Sequence, residues 1–163
     1  MALIPLPSRP GPAPEVTGPR PHAQRSQNAP ADLQEELARR ALALPGVKQA
    51  ASLVSVPGAR AFVLDHRHAH GPRRAFQIGH EFAHLHPTAD GSLHMTLPAA
   101  YAQAAFEKGW GVPHPLSGTP LIFGPRTREE LEVVWQLLRA SYDYASGNFA
   151  DVPGVAPVAT ARR

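Results

Sequence analysis

Apolar positions recur at helical spacing at both ends of the central region and alternate between them. In DLQEELARRALALPG, residues 32–46, Leu33, Leu37, Ala41 and Leu44 share one helical face. Asp32 with Glu35 three residues on reads as a capping box, and Pro45-Gly46 as the stop. Residues 51–56 (ASLVSV) and 59–66 (ARAFVLDH) read as strands around a Pro57-Gly58 turn. Period-two alternation runs over 73–86, with a break expected at Gly79, and SLHMTL, 92–97, reads as the next strand. PAAYAQAAFEKGWG then reads as a helix, with Pro98 in its first turn and Gly109 just past its end. TPLIFGP is a last short strand. TREELEVVWQLLRASYDYASG is the longest helix, opened by a second capping box, Thr127 with Glu130. Val134, Leu137, Leu138, Ser141 and Tyr142 line its apolar face. The order α, several β, α, β, α predicts an α+β domain: a mainly antiparallel sheet of four to five strands covered by three helices.

The flanks carry no such pattern. Residues 1–30 hold Pro5, Pro7, Pro10, Pro12, Pro14, Pro19, Pro21 and Pro30 among few apolar residues. Such a segment is expected to be a disordered arm, or a tether that lies on the surface, because it has little surface to bury against its ordering entropy. Residues 151–163 read as a flexible tail, which leaves 31–150 as the domain. The basic balance of the chain sits largely in these flanks; residues 31–150 carry eleven basic and eleven acidic side chains. That argues against a nucleic-acid module, which needs a basic face in the domain itself. There is no cysteine, so disulfides, thiolate metal sites and cysteine nucleophiles are excluded. MALIPLPSRPG is too short and too broken by proline for a signal peptide, and no run matches a membrane span. A cytoplasmic protein is therefore expected.

Histidine changes the picture. GHEFAHLHPTADGSLHM, residues 79–95, holds His80, His84, His86 and His94, four of the chain's nine. TADGS fits a turn centred on Ala89 and Asp90, with Gly91 in the left-handed position of a three-residue hairpin loop. In that register Thr88 pairs with Ser92, His86 lies opposite His94, and His84 shares their face opposite Thr96, with Phe82 beside them. Glu81 is expected on the other face unless a bulge intervenes. Two uses stay open for such a patch: three imidazoles holding a divalent metal, or imidazoles acting as base and oxyanion partners without one. Partly exposed strand histidines with no shared task are the plain alternative. DHRHAHG, with His66, His68 and His70 among arginines, reads as a solvated loop.

EFAHLH, SLHM, KGWGVPHPLSG and FGPRTREELEVV…LLRASYDYA follow one another at the spacing found in the fungal luciferase family, so residues 80–145 resemble that family. The matched polar positions are Glu81, His84, His86, His94, Trp110 and His114, framed by Gly109, Gly111, Pro115 and Leu116. The resemblance implies an oxygenase that adds O2 to a hydroxypyrone, 3-hydroxyhispidin in the luciferases, with neither metal nor organic cofactor. Departures are plain. The luciferases carry a hydrophobic N-terminal membrane segment where this chain has its proline-rich arm. They differ at Asp90-Gly91, and neither His80 nor the 66–70 cluster has a counterpart.

The leading expectation is thus a small-molecule enzyme with a histidine-lined pocket, a cofactor-independent oxygenase acting with O2 on an enol or phenol. His84, His86, His94, His114 and Glu81 are its expected catalytic set; Trp110, Phe82, Phe106 and Tyr101 are its expected substrate contacts. No cofactor is expected. The alternatives are a metal-dependent oxygenase or hydrolase with zinc or iron at His84, His86 and His94, and a module that binds a small ligand without turnover.

Overall fold

A computed structural model describes residues 5–149. In chain order the elements are β1 (Val16–Thr17), β2 (Ala23–Gln24), α1 (Ala31–Leu42), β3 (Val47–Ala51), β4 (Arg60–Leu64), a 3-10 turn (Arg73–Ala75), β5 (Glu81–Leu85), β6 (Leu93–Met95), α2 (Ala99–Glu107), β7 (Gly111–Pro113), β8 (Pro120–Ile122) and α3 (Arg128–Ser146). The main sheet has six antiparallel strands in the order β3-β4-β5-β6-β8-β7, and β1 with β2 forms a separate ribbon. The fold is α+β, with one strand more than the upper expectation.

The helices cover one face of the sheet. Leu37 and Ala41 of α1, Tyr101 and Ala105 of α2, and Val134 and Leu138 of α3 are buried with Phe62, Leu64, Leu85, Leu93, Met95 and Ile122. Burying each large side chain contributes roughly 1.5–3 kcal/mol, so this layer anchors the fold. The α3 face read from the sequence is the buried one. Its cap forms with a displacement: Thr127 Oγ1 accepts from Glu130 N at 3.2 Å, while the Glu130 carboxylate accepts from Arg126 N at 2.8 Å instead of Thr127 N. The Asp32 box does not form. Pro30 takes the cap position of α1 in extended conformation, so the helix starts at Ala31 with Asp32 already in its first turn.

Several strand boundaries differ from expectation. Residues 52–56 leave the sheet, because β3 starts earlier and pairs Val47 with Leu64 through Ala51 with Arg60. They become a loop that exposes Leu53 and Val54. The first part of 73–86 is not a strand either: Pro72 precedes the 3-10 turn, and Gly79, with φ of +53°, makes a tight turn in which Glu81 N donates to Ile78 O. The stretch after α2, which carries no strand pattern in the sequence, supplies the edge strand β7. Gly111 permits it, since a Cβ there would lie 2.3 Å from Leu121 O of β8.

The largest correction concerns the arm. Residues 1–30 were expected to be a disordered arm or a surface tether, yet residues 5–30 pack on the domain with Leu6, Arg9 and His22 buried. Proline carbonyls still accept hydrogen bonds, and the domain supplies donors: Trp110 Nε1 to Pro7 O at 2.6 Å and Arg126 Nη2 to Pro10 O at 2.9 Å. Arg9 N donates to Lys108 O, Gly124 N to Gln24 Oε1, and Asn28 Nδ2 to Asp90 O. A proline-rich chain also has less conformational entropy to lose. The expected tail, residues 151–163, lies outside the described residues.

Candidate functional site

The hairpin of β5 and β6 builds the site. His84 pairs with His94, and His86 N donates to Ser92 O at 2.9 Å, so the register is two residues from the expected one. Thr88 does not pair with Ser92. The loop holds five residues, 87–91, in which Asp90 N and Gly91 N both donate to Pro87 O. Gly91 does take the left-handed conformation, at φ +75°. A shift of two preserves side-chain alternation, so His84, His86 and His94 remain on one face. His84 Nε2 lies 3.2 Å and His86 Nε2 3.1 Å from His94 Nδ1. All three rings are buried.

Each ring has a partner on its far side. Glu81 sits on the same face, because β4 and β5 slip by one residue between Phe62 and Val63: Phe62 pairs with Ala83 but Val63 with Glu81. Phe82 is the extra residue of that bulge, and the parity of everything before it is inverted. Glu81 Oε1 thereby reaches His84 Nδ1 at 2.9 Å and also accepts from Ser52 Oγ at 2.8 Å. His86 Nδ1 lies 2.9 Å from Ser92 Oγ and 3.2 Å from Asp90 Oδ2. Ser92 Oγ donates to the other Asp90 oxygen, so it accepts from His86. His94 Nε2 lies 2.9 Å from Nδ1 of His22, a residue of the arm.

The electrostatics keep His84, His94 and His22 neutral near pH 7. Burial, and then the neighbouring His86, His84, His22 and His114, push His94 down to about 2. Burial lowers His84, against the pull of Glu81. Burial and then His114 and His86 lower His22 to about 4, although Asp90 opposes this. Asp90 stays a carboxylate: burial raises it, but hydrogen bonds from His86 and Ser92 and the charge of His86 leave it below its ordinary value. Neutral imidazoles offer lone pairs, while burial makes them reluctant proton acceptors.

The three rings lie in the wall of an open cavity of about 670 Å3. His22 and His114 join them, the His22 ring edge-on to His114 with centroids 4.9 Å apart. His114 Nδ1 accepts from Leu116 N at 3.1 Å and Ser117 N at 3.3 Å, which leaves its proton on Nε2. Val54, Val56 and Leu116 give the mouth an apolar rim, and Gln77, Ser55 and Thr119 are polar points in it.

His84, His86, His94, His114 and Glu81 are therefore brought together. The four expected substrate contacts are not. Trp110, Phe82 and Tyr101 lie in the core on the helix side of the sheet, and neither they nor Phe106 lines the cavity. The bulge turns Phe82 towards Tyr142 of α3, and Trp110 spends its N–H on Pro7 O. His80 packs beside Phe76, and His66 is exposed in its loop. Sequence reasoning missed His22, Ser92, and the Val54 and Val56 loop. Nothing in the arm's composition singles out His22, which only the packing of the arm brings to the site.

A family model described as "Luciferase domain" matches residues 79–141. That segment of the chain is similar to the luciferase domain. The histidine hairpin, β7, β8 and the start of α3 lie within that segment, whereas His22 lies outside it. Over 81 residues the chain is 37% identical to a protein named luciferase from Armillaria gallica, covering 44% of this chain and 30% of that protein. Proteins of the same name from Armillaria mellea and Neonothopanus nambi are 36% and 34% identical over 77 residues, 42% of this chain and 29% of theirs. The chain thus spans less than a third of the length of these curated relatives. No solved structure matches the chain.

Proposed function

We propose that the luciferase-like domain of this chain is an oxygen-using enzyme that acts on a small enol or phenol, such as a hydroxypyrone, in the histidine-walled cavity. One observation carries this reading: three buried imidazole nitrogens converge at the wall of an open cavity, inside the segment that matches the luciferase family model. The cavity size falls in the range of small-molecule sites, a few hundred to about 1,000 Å3. Its apolar rim suits a flat ring, and its imidazole wall suits an acidic hydroxyl.

The chemistry asked of the site is modest in parts. The enol O–H proton passes to solvent at the open cavity, and the electron pair of the enolate, available at the C=C carbon away from its oxygen, forms a C–O bond to O2, which is reduced to the peroxide level. Negative charge then lies on the new oxygens. The His114 Nε2–H is a neutral donor placed to bind such charge. Depressed basicity makes His94 and His22 poor acceptors for the enol proton, so the convergent triad has to favour the enolate in another way.

Oxygen uptake tests the reading. The purified protein is offered a panel of hydroxypyrones, catechols and cyclic enols in an oxygen-electrode cell. Uptake above the no-protein rate is expected with at least one ring enol, and His86→Gln is expected to reduce it by 100-fold or more, roughly the value of a lost catalytic group. No uptake across the panel, or uptake equal in His86→Gln, would remove the assignment.

A further inference from the structure

Strand alternation alone sends Glu81 to the face away from the histidines, which would leave them without a carboxylate to orient them and argue against metal. That argument fails on the geometry. The bulge at Phe82 delivers Glu81 to His84, and the five-residue loop delivers Asp90 and Ser92 to His86. A carboxylate only accepts, so each holds the ring proton on Nδ1 and leaves a bare lone pair on Nε2.

Both lone pairs point at His94 Nδ1, at 3.2 and 3.1 Å. If His94 carries its proton on Nδ1, that one proton can serve only one of the two neighbours. If it carries the proton on Nε2, donated to His22 Nδ1 at 2.9 Å, three lone pairs face one another in a buried space. Either arrangement leaves a buried acceptor without a donor, which is costly. One cation between the rings satisfies all three at once. The nitrogens all lie within 4.8 Å of one another, and among the described residues no other cluster of possible ligands has this spacing. A metal about 2.1 Å from each nitrogen would see the two measured pairs at roughly 95–100°, the spread between an octahedral face and a tetrahedron.

We propose that His84, His86 and His94 bind one divalent first-row transition-metal ion through Nε2, Nε2 and Nδ1. Glu81, Asp90 with Ser92, and His22 each fix the proton on one of these ligands. His22 is thus a positioning residue, and the arm that carries it is part of the metal site. The ligand set is neutral and all nitrogen, which suits zinc, iron, cobalt or copper over magnesium or calcium. The remaining coordination positions face the cavity. When bound, the metal supplies a Lewis acid that stabilises an enolate oxygen, the role the poorly basic imidazoles leave unfilled. The proposal deepens the function proposed above and rests on the same cavity, but metal binding is read without substrate, so the two readings fail separately.

The test uses the full chain, purified without a histidine tag, stripped with a chelator and titrated with Co2+ followed optically. One equivalent is expected, with the visible absorption of a nitrogen-ligated, low-symmetry cobalt ion, and a rise in melting temperature with Zn2+. A His66→Ala, His68→Ala, His70→Ala variant, altered only in the loop, is expected to titrate identically. His22→Leu is expected to weaken Co2+ binding by roughly 10–100-fold, as removal of an orienting partner does. His22→Asn, whose amide oxygen replaces the Nδ1 acceptor, should restore most of it. Failure of the native protein to take up Co2+ or Zn2+ would overturn the proposal. So would uptake that disappears in the loop variant, which would place the ion on the exposed histidines. Equal affinity in His22→Leu and the native chain would remove His22 from the site while leaving the triad.

Discussion

Trp110 shows what a single residue can hide. It sits within KGWGVPHPLSG, and its place beside two glycines and a histidine suggested a substrate contact. The structure makes it a clamp: its ring lies in the core, and its N–H is spent on Pro7 O at 2.6 Å. Trp110→Phe is therefore expected to lower unfolding free energy by about 1–3 kcal/mol, from one lost buried hydrogen bond and a small void. The check is the urea midpoint; an unchanged midpoint would show that the clamp is idle. Ligand-induced change in the emission of Trp110 should be small, because the ring does not line the cavity. Other residues divide on similar physical lines. His84, His86 and His94 were legible as one face, because alternation survives a register error of two. Glu81 was not, because a bulge has no signature in alternation until the partner strand is known. His22 was illegible altogether, since its place depends on contacts between distant segments.

Elements were read best where their signals are local. α3 carries a cap residue, a long apolar face and Gly147 in the left-handed conformation at φ +78°. The stretch from 51 to 59 was misread because Pro57-Gly58 marks a turn without saying how wide it is. β7 escaped because GVP is too short for any period. The arm is the element whose misreading matters most. Proline content removes donors and apolar area, and both point to disorder, but acceptors remain, and the domain offers Trp110, Arg126 and Gly124 N–H groups to pair with the arm. Deleting residues 1–28 leaves those donors unpaired and uncovers the site beside His94. At about 1 kcal/mol for each lost bond, and about 2–4 °C for each kcal/mol in a domain of this size, the melting temperature should fall by roughly 10 °C. Differential scanning calorimetry of the two forms decides this, and a fall of only a degree or two would restore the disordered arm.

At the scale of the molecule, the α+β class and the helix-covered sheet followed from element order, while the way residues 5–30 close the fold did not. Arg126 is where that closure is fastened. Its guanidinium donates to the Glu130 carboxylate at the start of α3, to Pro10 O of the arm and to Gln27 Oε1 at 2.9 Å. Glu130 is buried, which by itself raises its carboxyl, but the hydrogen bonds and charge of Arg126 outweigh this and hold it below its ordinary 4.5. A carboxyl held lower in the folded state than in the unfolded chain binds fewer protons when folded. Its contribution to stability is therefore complete above about pH 4.5 and is lost as pH falls through the depressed folded value. Protonation there weakens the grip of Arg126 on α3, and with it the alignment of the two bonds to the arm. Acid should thus loosen the arm before the helix-covered core. Hydrogen exchange of the arm amides from pH 6 to pH 3, corrected for intrinsic rates, should show protection at Arg9 and Arg25, whose N–H groups bond Lys108 O and Glu15 O, falling ahead of protection in β5 and β6. Glu130→Gln should flatten the acid limb of stability over the same range and lower stability at pH 7. Arm and core amides that lose protection together, or an acid limb unaltered in Glu130→Gln, would show that the fastening lies elsewhere.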